Sequence, residues 1–298
     1  MAHDTGDLEF LNKISIIIPA FNEEKAIKDV VSGLMENFRG AEILVVDDGS
    51  SDRTGQLAAD GGAKVITHAR NLGYGAALST GIENTEKDFV LFCDADGQHT
   101  ITDVRRIIKE ASSGKYDMIV GARTSESHQD WSRRPGKFIL KIFANYLANQ
   151  KIPDLNSGLR IIRRNVIIKY LHLMPQGFSF STTSTFAILK SKYSLHYIPI
   201  TVKKRVGKST VRQLKHGPQT IMLMLRLTVL FEPLRVFLTA SGFLTFCMLL
   251  SFGVDMASSR DTGIGDTTIL FAVSSLLVFL FGLLCDQISA LRREHHNH

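Results

Sequence analysis

Cysteine and tryptophan are scarce in this 298-residue chain, with three and one copies respectively. Cys93, Cys247 and Cys285 are odd in number and widely spaced, which argues against a disulfide framework or a zinc site and points to a reducing compartment. No Gly-x-x-x-x-Gly-Lys-Ser/Thr run occurs, so Asp47-Asp48 has no triphosphate-binding loop to serve. Gly73-Tyr74-Gly75 lacks the third glycine of a dinucleotide fingerprint and does not follow the first strand. Residues 1–11 are polar and acidic, without a signal-peptide pattern. There is no internal repeat and no low-complexity tract, and a charged fraction of 21% is that of an ordinary globular protein.

Charge is missing from two long stretches. Residues 234–256 carry Arg235 at their start and Asp255 at their end and nothing between; residues 267–285 carry none. Each can cross a hydrocarbon core of roughly 30 Å at about 1.5 Å per helical residue. The linker between them holds Asp255, Arg260, Asp261, Gly263, Gly265 and Asp266, a turn composition, so the chain is expected to end in a transmembrane hairpin. Before it lie Lys203, Lys204, Arg205, Lys208, Arg212, Lys215, Arg226 and Arg235; after it come Arg292 and Arg293. The positive-inside rule then places both ends and the preceding domain on the cytoplasmic side. A net charge of +6 suits anionic lipid, a phosphorylated substrate or nucleic acid. The basic residues crowd the membrane junction and aromatics do not interleave with them, so nucleic acid is not expected.

The first two-thirds is different. Apolar runs at 14–18, 42–46, 64–67, 89–93 and 118–120 alternate with helical spacing at 23–38, 54–59, 75–83 and 101–112. That order predicts an α/β fold with a mostly parallel sheet covered on both faces. Ligands of such sheets sit at the carboxyl ends of the strands. Three of those ends are rich in acids and turn residues: Pro19-Ala20-Phe21-Asn22-Glu23, Asp47-Asp48-Gly49-Ser50-Ser51-Asp52 and Asp94-Ala95-Asp96-Gly97-Gln98-His99. Asp94 and Asp96, one residue apart after a hydrophobic strand, can face one hard cation, Mg²⁺ or Mn²⁺, with Gln98 adding an amide oxygen. The polar stretch 125–136 is expected to be a loop over the site.

These motifs, with Asn71-Leu72-Gly73-x-Gly75, Gly121-Ala122-Arg123 and Asn156-Ser157-Gly158-Leu159-Arg160, resemble glycosyltransferase family 2 in their order. Within it the chain is similar to the dolichyl-phosphate mannosyltransferase group, the polyprenyl-phosphate hexosyltransferases. The likeness covers roughly residues 13–212. It implies a nucleotide-sugar-binding domain of GT-A type over residues 1–212, an interfacial helix over 213–233, the hairpin over 234–290 and a tail over 291–298. It further implies that Pro19, Phe21, Glu23, Val46 and Asp48 hold the nucleoside. Asp94, Ala95 and Asp96 match the diphosphate and metal site, with Gln98 as a further ligand of Mg²⁺ or Mn²⁺. Arg123 matches a substrate-phosphate arginine, and Asp96 and Arg123 carry the catalytic roles. Arg133, Arg134 and Ser157 fall where the acceptor phosphate is bound, and Arg205 and Lys208 beside the donor. The family's Arg-x-x-Gly-x-Ser-Lys is shortened here to Arg205-Val206-Gly207-Lys208-Ser209, which leaves the role of Lys208 open.

The acceptor follows from a missing acid. Family members that glycosylate hydroxyls need a carboxylate base, because an alcohol is a poor nucleophile at neutral pH. The segment expected to supply it, 177–185, contains none, and no Gln-x-x-Arg-Trp of a processive synthase follows. A phosphate monoester is already largely dianionic at pH 7. The expected reaction is therefore inverting transfer of a hexose from a nucleotide sugar to polyprenyl phosphate, beside membrane lipid, with a homo-oligomer left open. The alternatives are a base from elsewhere, such as Asp154, acting on a lipid or glycan hydroxyl, and a non-catalytic nucleotide-sugar-binding anchor.

Overall fold

A computed structural model describes residues 5–124, 145, 151–177, 179–202, 222, 225–226, 228–229, 232–257 and 264–295. The chain divides into two compact units, Met1–Met224 and Leu225–His298.

The first unit opens with helix α1 (Thr5–Leu11), which the sequence pattern did not announce. The elements β1 (Ile14–Ala20), α2 (Ile27–Asn37), β2 (Glu42–Asp47), α3 (Thr54–Asp60), β3 (Lys64–Thr67), α4 (Tyr74–Glu83), β4 (Phe89–Phe92), α5 (Ile101–Ser112) and β5 (Met118–Arg123) then follow in the expected alternation. After them come β6 (Arg160–Arg163), the short α6 (Arg164–Ile167), a 3₁₀ turn (Ile168–Leu173), α7 (Phe180–Lys190) and β7 (Leu195–Ile200).

The seven strands lie in the order β3-β2-β1-β4-β6-β5-β7. Every neighbouring pair is parallel except those made by β6, which runs against both β4 and β5. The sheet is thus mostly parallel, as expected, with one inserted antiparallel strand. β1 is all buried, which is why its sequence is apolar on both faces apart from Ser15 rather than alternating. Two apolar clusters cover the two faces. One joins Ile16, Ile18, Val45 and Leu91 to α2 and α5; the other joins Ile17, Leu44, Val46 and Phe92 to α4 and Phe180.

Local chemistry fixes the helix starts near the site. Thr100 caps α5: its hydroxyl accepts from Asp103 N at 3.1 Å and donates to Asp103 Oδ2 at 2.7 Å. Gly73, just before α4, has φ of +108°, and a β-carbon there would lie 2.5 Å from the Gln176 carbonyl oxygen. This glycine serves a close chain crossing, not a dinucleotide phosphate.

The direction of β6 positions the site. The carboxyl ends of β1, β2, β4 and β5 share one edge. Because β6 is antiparallel, its start lies on that same edge, with Arg160 opposite Phe92 on one side and Val120 on the other. The connection 151–159 is thereby delivered beside Asp94 and Arg123. Since β2 and β4 flank β1 on opposite sides, the chain reverses its strand order at β1, the place where open α/β sheets leave a crevice.

The second unit contains α8 (Pro233–Ala257) and α9 (Asp266–His295). Both are long and apolar enough to cross a membrane. They pack together through small and hydroxyl residues. The Ser241 hydroxyl donates to Ser275 O at 3.0 Å, and Thr245 and Ser275 hydroxyls meet at 2.7 Å. Thr268 Oγ1 donates to Asp255 Oδ2 at 2.7 Å near the turn. Such contacts replace the hydrophobic drive that is lacking between helices in lipid. Of the expected interfacial helix at 213–233, residues 222, 225–226, 228–229 and 232–233 are described, and 222, 225–226 and 228–229 are helical.

Candidate active site

The β1 and β2 ends are bound to each other. Asn22 adopts φ of +55°, donates through its N–H to Ser50 Oγ at 2.9 Å and accepts from Ser51 N at the same distance. Glu23 N donates to Thr54 Oγ1 at 2.8 Å, and Asp48 N to Ala20 O at 2.8 Å. Pro19 lies opposite Val46 in the sheet, and Val46 is fully buried within the cluster under α4. Phe21 and Glu23 are half-buried at the strand end. The residues expected around a nucleoside are therefore brought to one edge.

Asp48 is committed within the protein. Its Oδ1 accepts from Leu72 N and its Oδ2 from Gly73 N, both at 2.8 Å, and His68 Nδ1 lies 2.7 Å from Oδ1. Its carboxylate ties down the loop that leads into α4, a role that sequence reasoning did not anticipate.

Asp94 and Asp96 stand just past β4 with Ala95 buried between them. Asp94 accepts from Tyr74 Oη at 3.0 Å, and His99 Nε2 lies 3.3 Å from its other oxygen. Burial pushes the Asp94 carboxyl up, but these two hydrogen bonds and the Arg123 charge outweigh it and hold the group below the usual carboxylate range. Burial beside Asp94 raises the Tyr74 phenol well above its ordinary value, so it stays a neutral donor. Asp96 is buried and accepts from Gln98 N at 3.1 Å.

Two carboxylates offer oxygen donors only, the set that suits Mg²⁺ or Mn²⁺. Among the described residues no group of three Asp, Glu, His or Cys side chains stands close enough to cage a cation unaided. A divalent ion that keeps waters and substrate phosphates in its shell fits this pair; a protein-only cage does not.

On the other side, Arg123 is the last residue of β5, not a loop residue beyond it. Asp154 holds it in a fork, with Nε donating to Oδ2 at 2.6 Å and Nη2 to Oδ1 at 2.9 Å, while Arg123 N also reaches Oδ2 at 3.2 Å. Asn156 N donates to Oδ1 at 3.1 Å. Burial raises the Asp154 carboxyl, but the arginine's hydrogen bonds and charge win and hold it low. A low-pKa carboxylate with both oxygens engaged is a poor general base.

Beneath these lies Arg160, fully buried. Its guanidinium donates to Ser181 O at 2.7 Å, Ser184 Oγ at 2.9 Å, Thr185 Oγ1 at 3.2 Å and, through Nε, Ser157 O at 3.2 Å. Burial pulls its pKa down from the usual arginine value, partly offset by the nearby Tyr74, Tyr197, Asp154 and Asp94. The hydroxyl run Ser181–Thr185 that replaces an acid is thus buried scaffold in α7, knitted to β6. A charged side chain inside the otherwise apolar Leu159–Ile162 run was the signal that could have flagged it. Ser157 is buried, and among the described residues its hydroxyl has no hydrogen-bond partner. Arg133, Arg134, Arg205 and Lys208 lie outside the described residues.

The geometry has counterparts in known proteins. Residues 15–171 match the model of glycosyl transferase family 2, and residues 232–291 match that of the GtrB C-terminal hairpin. A UDP-N-acetylglucosamine–dolichyl-phosphate N-acetylglucosaminyltransferase of Methanococcus voltae is 29% identical, over 63% of this chain and 84% of its own length. An undecaprenyl-phosphate 4-deoxy-4-formamido-L-arabinose transferase of Pseudomonas aeruginosa is 25% identical, over 94% of this chain and 86% of its own. Among solved structures, glucosyl-3-phosphoglycerate synthase from Mycobacterium tuberculosis, in complex with Mn²⁺, UDP and phosphoglyceric acid, superposes with a TM-score of 0.62. It is 18% identical, and the match spans 76% of this chain and 84% of that one, a likeness of fold.

Proposed function

Since this chain belongs to glycosyltransferase family 2, we propose that it transfers a hexose from a nucleoside-diphosphate sugar to the phosphate of a polyprenyl phosphate, with inversion at the anomeric carbon. The observation that carries this is the Arg123–Asp154 fork. It gives the acceptor side a phosphate-binding cation and takes away the carboxylate that a hydroxyl acceptor would need. The names of the Methanococcus and Pseudomonas relatives, which specify dolichyl phosphate and undecaprenyl phosphate, support the same acceptor class.

The bond changes balance without a base. An acceptor phosphate oxygen forms a bond to the anomeric carbon, and the bond from that carbon to the donor diphosphate breaks. The electron pair leaves with the diphosphate, and no proton moves. Asp94 and Asp96 would hold Mg²⁺ or Mn²⁺, which when bound offsets charge on the departing diphosphate. Tyr74 and His99 orient Asp94, while Asp48 holds the loop leading into α4. Arg123 offsets repulsion between a dianionic acceptor and the diphosphate; Arg133, Arg134, Arg205 and Lys208 are assigned the same work from their motifs. Pro19, Phe21, Glu23 and Asp48 are assigned to the nucleoside side from their motifs, with Val46 packed beneath them in the core. Ser157 is assigned to the acceptor phosphate.

The hairpin anchors the enzyme in the lipid that dissolves its acceptor, and the flanking Lys and Arg residues support a catalytic unit on the cytoplasmic leaflet. The test is to incubate membranes carrying the full chain with a panel of labelled nucleotide sugars. Label in a lipid product released by mild acid is expected, as a glycosyl phosphodiester requires. An acid-stable glycolipid, or no lipid label with any donor, overturns the proposal.

A further inference from the structure

The fork on Arg123 uses only one edge of its guanidinium. Asp154 takes Nε and one Nη2 hydrogen, and among the described residues no partner takes Nη1. Arginine binds oxyanions two hydrogens at a time, and its terminal Nη1/Nη2 edge is a complete second fork. The Asp154 side chain is 10% exposed while that of Arg123 is 37% exposed, so the pair is reached from solvent mainly at the arginine. Asp154 is itself fixed: Asn156 N holds Oδ1, and the Asn156 side-chain oxygen accepts from Thr182 Oγ1 of the buried α7 at 3.1 Å.

Resting on the proposed function, we infer that Asp154 is a positioning residue. It acts through Arg123, presenting the terminal guanidinium edge to the acceptor phosphate in one orientation. Two effects of the carboxylate oppose each other. Its charge repels an incoming dianion, while its fork removes the rotamer freedom that an exposed arginine would otherwise lose on binding. Arg123 sits at the end of a strand and Asp154 on a loop tied to α7, so the fork is held from both sides. Orientation therefore outweighs repulsion, and the carboxylate aids acceptor binding.

The experiment uses the full chain in mixed micelles. One arm measures equilibrium binding of undecaprenyl phosphate without donor. The other measures transfer with whichever labelled nucleotide sugar turns over fastest in the unsubstituted chain. Asp154→Asn keeps an oxygen for Asn156 N but loses the charged fork. It is expected to weaken acceptor binding and raise the acceptor KM about tenfold, with the donor KM changed less than twofold. Arg123→Lys, which keeps charge but offers no fork, is expected to do the same. In an Arg123→Ala background, Asp154→Asn should add less than twofold, because the residue it acts through is gone.

Tighter acceptor binding by Asp154→Asn would make the carboxylate a competitor and overturn the inference, as would an unchanged affinity, an equal rise in donor KM, or losses that multiply in the double variant. The two readings fail separately. Acceptor binding that responds to Asp154→Asn without any transfer would sink the proposed function and leave the positioning role. Transfer to lipid phosphate that ignores Asp154→Asn would do the reverse.

Discussion

Gly158 and Asp94 lie so close that a β-carbon on Gly158 would sit 2.4 Å from Asp94 Oδ2 and 2.8 Å from Oδ1. The glycine that leads into the antiparallel strand β6 is therefore part of the socket for a carboxylate at the end of β4. Gly158→Ala is expected to push the Asp94 carboxylate out of place. Transfer should fall at least about tenfold, as for other small misplacements of reacting groups, while circular dichroism and the melting temperature stay near those of the unsubstituted chain. Unaltered turnover would detach Gly158 from the site.

Asp96→Asn should abolish transfer without loss of folding, since Asp96 accepts from Gln98 N and an asparagine oxygen can do the same. Removing the divalent ion with a chelator should have the same effect on the unsubstituted chain, reversed by Mg²⁺ or Mn²⁺. Full activity of Asp96→Asn at saturating donor would remove the metal role.

Acidification offers an independent reading of the Arg123–Asp154 pair. A carboxyl whose folded pKa is lowered binds protons less readily than the unfolded chain does, so it stabilises the fold above its unfolded value of about 4. That contribution disappears as pH falls through the lowered folded value. Asp154→Asn should therefore be less stable than the unsubstituted chain at neutral pH, with the difference shrinking below about pH 4. Denaturant unfolding at a series of pH values measures this; parallel curves down to the lowest pH would contradict it.

Arg160→Leu leaves the Ser157 and Ser181 carbonyls without their buried donor. A loss of about 2–4 kcal/mol is expected from those unsatisfied groups. The same change should loosen α7 against β6 and speed hydrogen exchange in Ser181–Thr185. Stability equal to that of the unsubstituted chain would show that these carbonyls find other partners.

In the hairpin, a β-carbon on Gly282 would lie 2.5 Å from Phe237 Cβ, an atom too near the backbone to swing aside. Gly282→Leu is expected to separate α8 from α9, at a cost of about 1–3 kcal/mol. Unfolding in detergent micelles, with Leu283→Ala on the exposed surface as a control, reports it. Equal stability of the Gly282 variant would argue against this packing.

Much of this molecule was legible from its residues in order. The alternation of apolar runs with helical spacing determined β1 through β5 and the sheet's mostly parallel sense, because a buried parallel strand has to be apolar on both faces. The acids at three strand ends fall together on one edge of the sheet, and the uncharged stretches marked the two long helices. Tertiary structure alone decided what those residues meet. The reversal of β6 brings Gly158 and Asp154 to Asp94 and Arg123 from more than 30 positions away, a pairing that no local periodicity encodes. It also gave Asp154 an arginine partner and Asp48 a loop to clasp. Hydrophobic pattern is a property of neighbours along the chain, whereas the protonation and partners of a carboxylate depend on which distant groups the fold sets within about 3 Å of it.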